Sequence, residues 1–315
     1  MSNRRLLITG SQGFVGRALI ERIRASAPDR FELVDFIDPE NGERPDIRDK
    51  AAVERALTSA KPDAVVHLAA IAAPRQAQKD PSEAWMVNVI GTLNIASAAR
   101  TIGARLIWSG SSEAYGNAFN RHPEPVREEA ALEPMSAYGA TKSAADLMLR
   151  QMGEDGLQAV IFRPFNHSGP GQSPDYVVPA FAEQVARIEA GLQDPVIKVG
   201  NLEARRDFLH VTDVVDAYLA AADAPSIQPG ATYNISTSAP VAIADLLNGL
   251  LTASGHAITV EVDPARYFPN KVVTASGSHD RLKADFGWSP KIAIGDMLAE
   301  VLDDQRQRIA AEPRG

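Results

Sequence analysis

Residues 5–16 read Arg-Leu-Leu-Ile-Thr-Gly-Ser-Gln-Gly-Phe-Val-Gly, an apolar run that meets three glycines three residues apart and passes straight into a helical pattern. Few folds tolerate that junction. Without side chains at Gly10, Gly13 and Gly16 the backbone can turn tightly out of a strand and approach another group closely, while the first amides of the following helix face the turn. A glycine triplet alone describes a tight turn. A strand before it and a helix after it make a cradle for the pyrophosphate of a dinucleotide, with Phe14 and Val15 as part of the cradle.

The rest of the first half repeats the strand-to-helix step. Strands are expected at 5–9, 31–35, 64–69, 105–109 and 159–163, and helices at 14–25, 51–60, 83–100 and 136–152. Several of these strands are apolar throughout, as in a parallel sheet covered on both faces. The helix at 83 carries its own start signal, with Asp80 at the N-cap, Pro81 at the first helical position and Glu83 at the third. Alternation on this scale describes a doubly wound α/β domain. Beyond Asn166 the pattern becomes mixed: a turn-rich stretch at 166–175, a helix at 178–190, a strand at 196–199, a helix capped by Thr212 and a strand at 232–236. No repeat or Ser/Gly linker separates the halves. A smaller α/β lobe is therefore expected to interleave with the first domain, 167–206 plus 238–315 against 1–166 plus 207–237.

Composition narrows the chemistry. With 32 Lys and Arg against 40 Asp and Glu, the net charge of −8 disfavours nonspecific nucleic-acid binding but leaves room for a small anion in a local basic pocket. The absence of cysteine excludes disulfides, thiol nucleophiles and Cys-based metal sites, and it suits a reducing compartment; no metal is expected. The longest apolar stretch, 64–73, is interrupted by His67 and falls well short of the roughly 20 residues that span a bilayer. The apolar run before Thr9 is only three residues, Leu6 to Ile8, too few for a signal-peptide core, so a cytoplasmic protein is expected.

Three further features carry chemistry. Asp35, at the end of the second expected strand, is positioned to accept from the ribose hydroxyls of a bound dinucleotide, with Asp38 as its rival. In Ser136-Ala-Tyr138-Gly-Ala-Thr-Lys142, the Tyr and Lys are four apart and share a helix face. An ammonium beside a phenol depresses the phenol's pKa and equips it to exchange a proton with a carbonyl or alcohol. Ser109-Gly-Ser111-Ser112-Glu113-Ala-Tyr115-Gly116 follows an expected buried strand, so a hydroxyl at Ser111 can hydrogen-bond the oxygen of a reacting carbonyl. Ser112 and Glu113 are further catalytic candidates. The order of glycine loop, strand-end hydroxyl and Tyr/Lys pair is far more specific than any one of the three.

These residues resemble the extended short-chain dehydrogenase/reductases of the NAD-dependent epimerase/dehydratase family, which act on nucleotide sugars. The resemblance covers essentially the whole chain and rests on the GxxGxxG form of the loop, Asp46-Ile47, His67-Leu-Ala-Ala70, Asn88-Val-Ile-Gly91-Thr92 and Tyr138/Lys142. It implies a Rossmann-like sheet and NAD(H), with NADP(H) as the alternative. It also implies that Asp46 and Ile47 flank the adenine, that Leu68, Ala69, Ala70, Asn88, Ser109 and Pro164 line the cofactor, and that the protein is a homodimer. His67 reads as a strand-packing residue and not a catalytic one.

The second half is similar to the GDP-4-keto-6-deoxy-D-mannose reductases of that family, through 163–172, 199–208 and 263–266. That similarity implies that Asn166, Arg206 and Arg266 face a nucleotide diphosphate, an anion suited to guanidinium forks. Where its pattern continues with Arg and Glu, this chain has Phe268 and Lys271. The expected function is reduction of the C4 ketone of a 4-keto-6-deoxy nucleotide sugar, a GDP-sugar before others. Ser111 and Glu113 would touch the substrate, Tyr138 would protonate O4, and Lys142 would hold the cofactor ribose. A 4,6-dehydratase, a 4-epimerase and a non-catalytic dinucleotide sensor are the rivals. The sensor is disfavoured because both Tyr138 and Lys142 are present.

Overall fold

A computed structural model describes residues 3–122, 124–265, 267 and 271–312. In chain order its first half comprises β1 (Arg4–Thr9), α1 (Phe14–Ser26), β2 (Phe31–Val34), α2 (Lys50–Ala60), β3 (Ala64–His67), α3 (Pro74–Lys79), α4 (Pro81–Trp85), a π-helical turn (Met86–Gly91), α5 (Thr92–Ile102), β4 (Arg105–Ser109), α6 (Ala137–Glu154) and β5 (Ala159–Pro164). The second half adds β6 (Asn166–Ser168), α7 (Val177–Glu189), β7 (Val196–Val199), β8 (Arg205–Arg206), β9 (Phe208–His210), α8 (Val211–Asp223), β10 (Ala231–Ile235), β11 (Val241–Ala242) and α9 (Ile243–Ser254). It closes with β12 (Thr259–Val262), β13 (Thr274–Ala275), α10 (Asp280–Phe286) and α11 (Ile294–Ala310).

The apolar strands pair in parallel into one six-stranded sheet of order β10-β5-β4-β3-β1-β2. Their side chains alternate between two cores. Leu6, Ile8, Val66, Ile107, Val160 and Phe162 join α1 and α8 on one face, while Leu7, Val65, Leu106, Trp108 and Ile161 join α2, α5 and α6 on the other. This two-sided burial is why the strands lack the polar alternation of a one-sided sheet. The order reverses between β1 and β3, so their carboxyl ends splay apart and open the crevice where doubly wound sheets hold ligands. A third core joins α7, α9 and α11 to β7, through Phe181, Val185, Leu246, Leu250, Leu298 and Val301.

The fold class is the expected doubly wound one, and the local departures have physical causes. The expected helix at 83–100 is broken by the π-turn, although its start is as read, with the Asp80 carboxylate accepting from the Glu83 amide at 3.0 Å. The short α3 was not anticipated. The cap of α8 is His210, whose Nδ1 accepts from the Thr212 amide at 3.1 Å, and Thr212 lies inside the helix. Among the described residues no helix is long and apolar enough to cross a membrane.

Candidate active site

The glycine loop closes on itself through the Gly13 amide and the Gly10 carbonyl, 3.0 Å apart. Gly10 has φ +71°, and a Cβ there would lie 2.8 Å from the Ala69 nitrogen; one at Gly16 would lie 2.4 Å from the Gly10 carbonyl oxygen. The loop is thus pressed both onto itself and onto the segment after β3. Gly13 caps α1 without a side-chain bond, and the first turn of α1 carries no acidic residue. Its leading amides and positive helix end are left for an anion, the fit that a pyrophosphate requires. The opposite wall, Leu68 to Ala70, hangs from Thr9, whose Oγ1 accepts from the Leu68 and Ala69 amides at 3.2 Å each.

The other expected cofactor residues divide. Asp35 is exposed just past β2. Its rival Asp38 is buried and gripped by Arg55 at 2.6 and 2.9 Å, a pairing that holds its carboxyl below the usual range. Ile47 is buried and occupies the space above Gly91, where a Cβ would come within 2.6 Å of its side chain, and its carbonyl accepts from Asn94 at 2.9 Å. Asp46, expected to flank the adenine, is exposed and pairs with Arg48 through both carboxylate oxygens, and Arg48 continues to Glu83 at 2.7 Å. Asn88 departs from expectation. Its buried side chain is fully engaged by the Ile71 backbone (2.8 and 3.1 Å) and Thr141 Oγ1 (3.0 Å), so it shapes the crevice only through the groups it holds. Phe14 stacks on His167, Val15 and Leu68 pack against the first core, Ala69 packs against the second, Ala70 is half-buried, and Pro164 ends β5 beside Ile235.

Ser111, Tyr138 and Lys142 converge at the carboxyl end of β4. Ser136 caps α6 by accepting from the Gly139 amide at 3.0 Å, which starts the helix one residue before Tyr138. Lys142 is buried, donates to the Ser109 carbonyl at 2.8 Å and lies 5.0 Å over the Trp108 ring. Ser111 Oγ accepts from the Glu113 amide at 3.1 Å, which leaves its own proton free to donate. Ser112 is buried as well, and the Ser109 hydroxyl meets Tyr218 at 2.8 Å.

The electrostatics correct one expectation. Lys142 does not depress the Tyr138 pKa. Burial pushes the phenol well above its usual value, while the neighbouring Ser111 hydroxyl works the other way and Glu113 adds to the rise. The reason is that Lys142 is itself desolvated, which brings its ammonium down to about 7, and its Nζ stands 5.9 Å from the Tyr138 ring. A phenol in this state keeps its proton at neutral pH and can give it up to a developing alkoxide. Glu113 opens to the cleft, but the surrounding walls push its carboxyl up, against the opposing pull of Arg206.

Arg206 faces Glu113 from β8. Its guanidinium donates to the carbonyls of Arg205, Val272 and Val273 at 2.9 to 3.2 Å and forms no ion pair among the described residues. Burial pulls its pKa below the ordinary value. Beside it Asp207 is fully buried and takes the Thr237 amide and hydroxyl at 2.7 and 2.6 Å, which fixes β8 in place. Asn166 is exposed on β6, paired in register with Phe208. Arg266 and Phe268 lie outside the described residues; Lys271 is within them, and its carbonyl accepts from Asn120 at 2.9 Å.

Arg163 had no role in the sequence reading. It is buried and forks onto Asp146 at 2.8 and 2.9 Å, while its third nitrogen reaches Tyr115 Oη at 2.8 Å and the Glu128 carbonyl at 2.9 Å. It thereby ties the Ser111 loop to α6. An arginine inside an otherwise apolar strand was the available signal, since a buried cation requires partners. Tyr176, at the N-cap of α7, was also passed over; it adds to the field at Tyr138.

The model of the NAD dependent epimerase/dehydratase family matches residues 6–236. The GDP-6-deoxy-D-mannose reductase of Pseudomonas aeruginosa is 32% identical over 98% of this chain and 99% of its own length. The structure of RMD from Pseudomonas aeruginosa complexed with NADPH superposes with a TM-score of 0.88 at 31% identity, covering 97% of this chain and 100% of that one. The Thermus thermophilus UDP-glucose 4-epimerase in complex with NAD reaches 0.80 at 29% identity, covering 96% and 99%.

Proposed function

Since the chain belongs to the NAD dependent epimerase/dehydratase family, and is therefore an NAD(P)-dependent enzyme, we propose that it reduces the C4 ketone of a 4-keto-6-deoxy nucleotide sugar, with GDP-4-keto-6-deoxy-D-mannose going to GDP-D-rhamnose. The observation that carries this reading is the Tyr138 phenol, kept protonated by burial beside a Ser111 hydroxyl that accepts from the Glu113 amide and turns its own proton towards the phenol. A reduced nicotinamide, when bound, supplies the hydride that arrives at C4. Ser111 donates a hydrogen bond to the ketone oxygen, and Tyr138 gives that oxygen its proton as negative charge develops there. Ketone, hydride and proton together make the alcohol, and solvent returns a proton to the phenol.

Gly10, Gly13, Gly16 and the first amides of α1 would hold the pyrophosphate of the cofactor, and Lys142 its nicotinamide ribose. Arg206, to which no carboxylate is bound among the described residues, would take the diphosphate of the sugar nucleotide, and Asn166 would line the same wall. Asp35 repels a 2′-phosphate, which favours NADH, with NADPH as the second choice. Residues 1–166 plus 207–237 would form the cofactor domain and 167–206 plus 238–315 the nucleotide-sugar lobe. Trp85, Met86, Ile90, Leu93 and Leu147 leave apolar surface exposed along the α4–α5 region and α6, which supports a homodimer through these helices. Light scattering should then give twice 33.8 kDa, and a concentration-independent single-chain mass overturns the dimer. The absence of cysteine supports a cytoplasmic location.

One observation favours a second reading. Glu113, with its raised carboxyl next to Tyr138, resembles the base of a 4,6-dehydratase. The test of the first reading is incubation with GDP-4-keto-6-deoxymannose and NADH or NADPH, followed by NMR of the product. Cofactor oxidation matched one-for-one by a 6-deoxyhexose with a new C4–H is expected. A ketone left intact with the cofactor still reduced contradicts it.

A further inference from the structure

Five polar residues, each at most 2% exposed, are linked from the glycine loop to the helix of Tyr138 and Lys142, through their side chains and, at Asn88, also its backbone carbonyl: Thr9, His67, Thr92, Asn88 and Thr141. Thr9 Oγ1 lies 2.7 Å from His67 Nδ1, and His67 Nε2 lies 3.1 Å from Thr92 Oγ1. Thr92 Oγ1 donates to the Asn88 carbonyl at 2.7 Å, Asn88 Nδ2 donates to Thr141 Oγ1 at 3.0 Å, and Thr141 Oγ1 donates to the Tyr138 carbonyl at 2.8 Å. Thr9 also holds the Leu68 and Ala69 amides, and Asn88 holds both backbone groups of Ile71, so the segment after β3 is pinned from two sides.

The proton count along this line admits one arrangement. A threonine hydroxyl has a single proton. That of Thr92 goes to Asn88, so Thr92 can only accept from His67, which must carry its proton on Nε2. His67 Nδ1 is then bare and accepts from Thr9, whose oxygen remains free to receive the two amides. Thr141 gives its proton to Tyr138 and accepts from Asn88. Burial, reinforced by the nearby Lys142 charge, brings the imidazole down to about 3, so the ring stays neutral and the pattern does not change near neutral pH. The π-turn at Met86–Gly91 contains Asn88, the kind of helix irregularity often found where a helix serves a site.

The geometry points to His67 and Thr92 as positioning residues: the line is a strut that sets the glycine loop against the Tyr138–Lys142 helix, so that a nucleoside diphosphate seated in the loop steadies that helix from the far side of β3. The inference rests on the proposal that the glycine loop takes a pyrophosphate. Isolated hydrophobic packing would hold the same elements near one another, but it would not transmit an event in the loop through one hydroxyl.

ADP tests this, because it presents the diphosphate without a nicotinamide half. Amide hydrogen exchange is measured with and without ADP on the full chain as wild type, Thr92→Val, Thr92→Ser and Thr141→Val. In wild type, ADP should slow exchange in the glycine loop and, by about threefold or more, in 137–143. Thr92→Val should keep the first effect and lose the second, and Thr92→Ser, which restores the hydroxyl, should recover it. Thr141→Val cuts the line at its other end and should behave like Thr92→Val, so the test survives if one variant does not fold. Loop protection without any change at 137–143 in wild type, or 137–143 protection that persists in both valine variants, overturns the strut alone. ADP that leaves the loop itself unprotected overturns the dinucleotide reading and the strut with it.

Discussion

Two walls of the same cleft are built in opposite ways. On the glycine-loop side the surface offered to a ligand is main chain: carbonyl and amide groups at Gly10 to Gly16 and at Leu68 to Ala70, braced from behind by side chains whose hydrogen bonds are already made. On the other side the surface is side chain: Glu113, Asn166, Tyr176 and Arg206, which are open or half-open, with Arg206 bonded to carbonyls alone among the described residues. A backbone wall admits almost no substitution, because a Cβ in the wrong place displaces the chain itself. A side-chain wall can change its ligand one residue at a time, which is consistent with reductases and epimerases appearing among the relatives of this chain.

The sharpest way to break this contrast is within the glycine loop. A Cβ at Gly16 falls 2.4 Å from the Gly10 carbonyl oxygen and one at Gly13 falls 3.2 Å from it. Gly16→Ala should weaken NADH binding by about 100-fold or more and Gly13→Ala by less than about tenfold, a difference above 1.4 kcal/mol in fluorescence titrations. Equal losses would mean that the backbone wall is not under the steric control described. A smaller effect is expected across the cleft. Arg206→Met should raise the KM for the sugar nucleotide by about 10- to 100-fold with kcat little changed, and Arg206→Lys should fall between, since a point charge replaces a fork. An unchanged KM in both variants removes Arg206 from the binding wall.

The smallest effect concerns stability. Lys142 titrates at about 7 in the folded protein, below its ordinary value of 10.5, because burial disfavours its charge. The unfolded chain therefore holds this proton more tightly than the folded one between those values. The resulting destabilisation is complete below pH 7 and fades as pH rises towards 10.5. Lys142→Met should raise the melting temperature by roughly 3 °C or more at pH 6, with the gain shrinking at pH 10. A gain that does not depend on pH contradicts the buried-ammonium account.

The same contrast explains what could be read from the sequence. The sheet, the glycine loop and the Tyr138/Lys142 pair rest on spacings of a few residues, and the structure has each where the spacing points. The strut joins Thr9 to His67 across 58 positions and Asn88 to Thr141 across 53, distances at which single threonines and one histidine carry no pattern. The π-turn was hidden because the apolar residues across Met86 to Gly91 keep the spacing of an ordinary helix. His210 took the cap assigned to Thr212 because a side-chain acceptor two residues earlier was already in reach of its amide. That Arg48 folds back onto Asp46 was not legible, because neither residue's spacing carries a pattern.

If the proposed reduction holds, Tyr138 is its proton donor and no base is needed at Glu113. Turnover of GDP-4-keto-6-deoxymannose by Tyr138→Phe and Glu113→Gln, measured side by side, tests it most directly. Tyr138→Phe should lose about 10²- to 10⁴-fold in kcat and Glu113→Gln less than about tenfold. Losses of equal depth, together with turnover of GDP-mannose by the wild type without added reductant, would contradict it and assign Glu113 the base of a dehydratase.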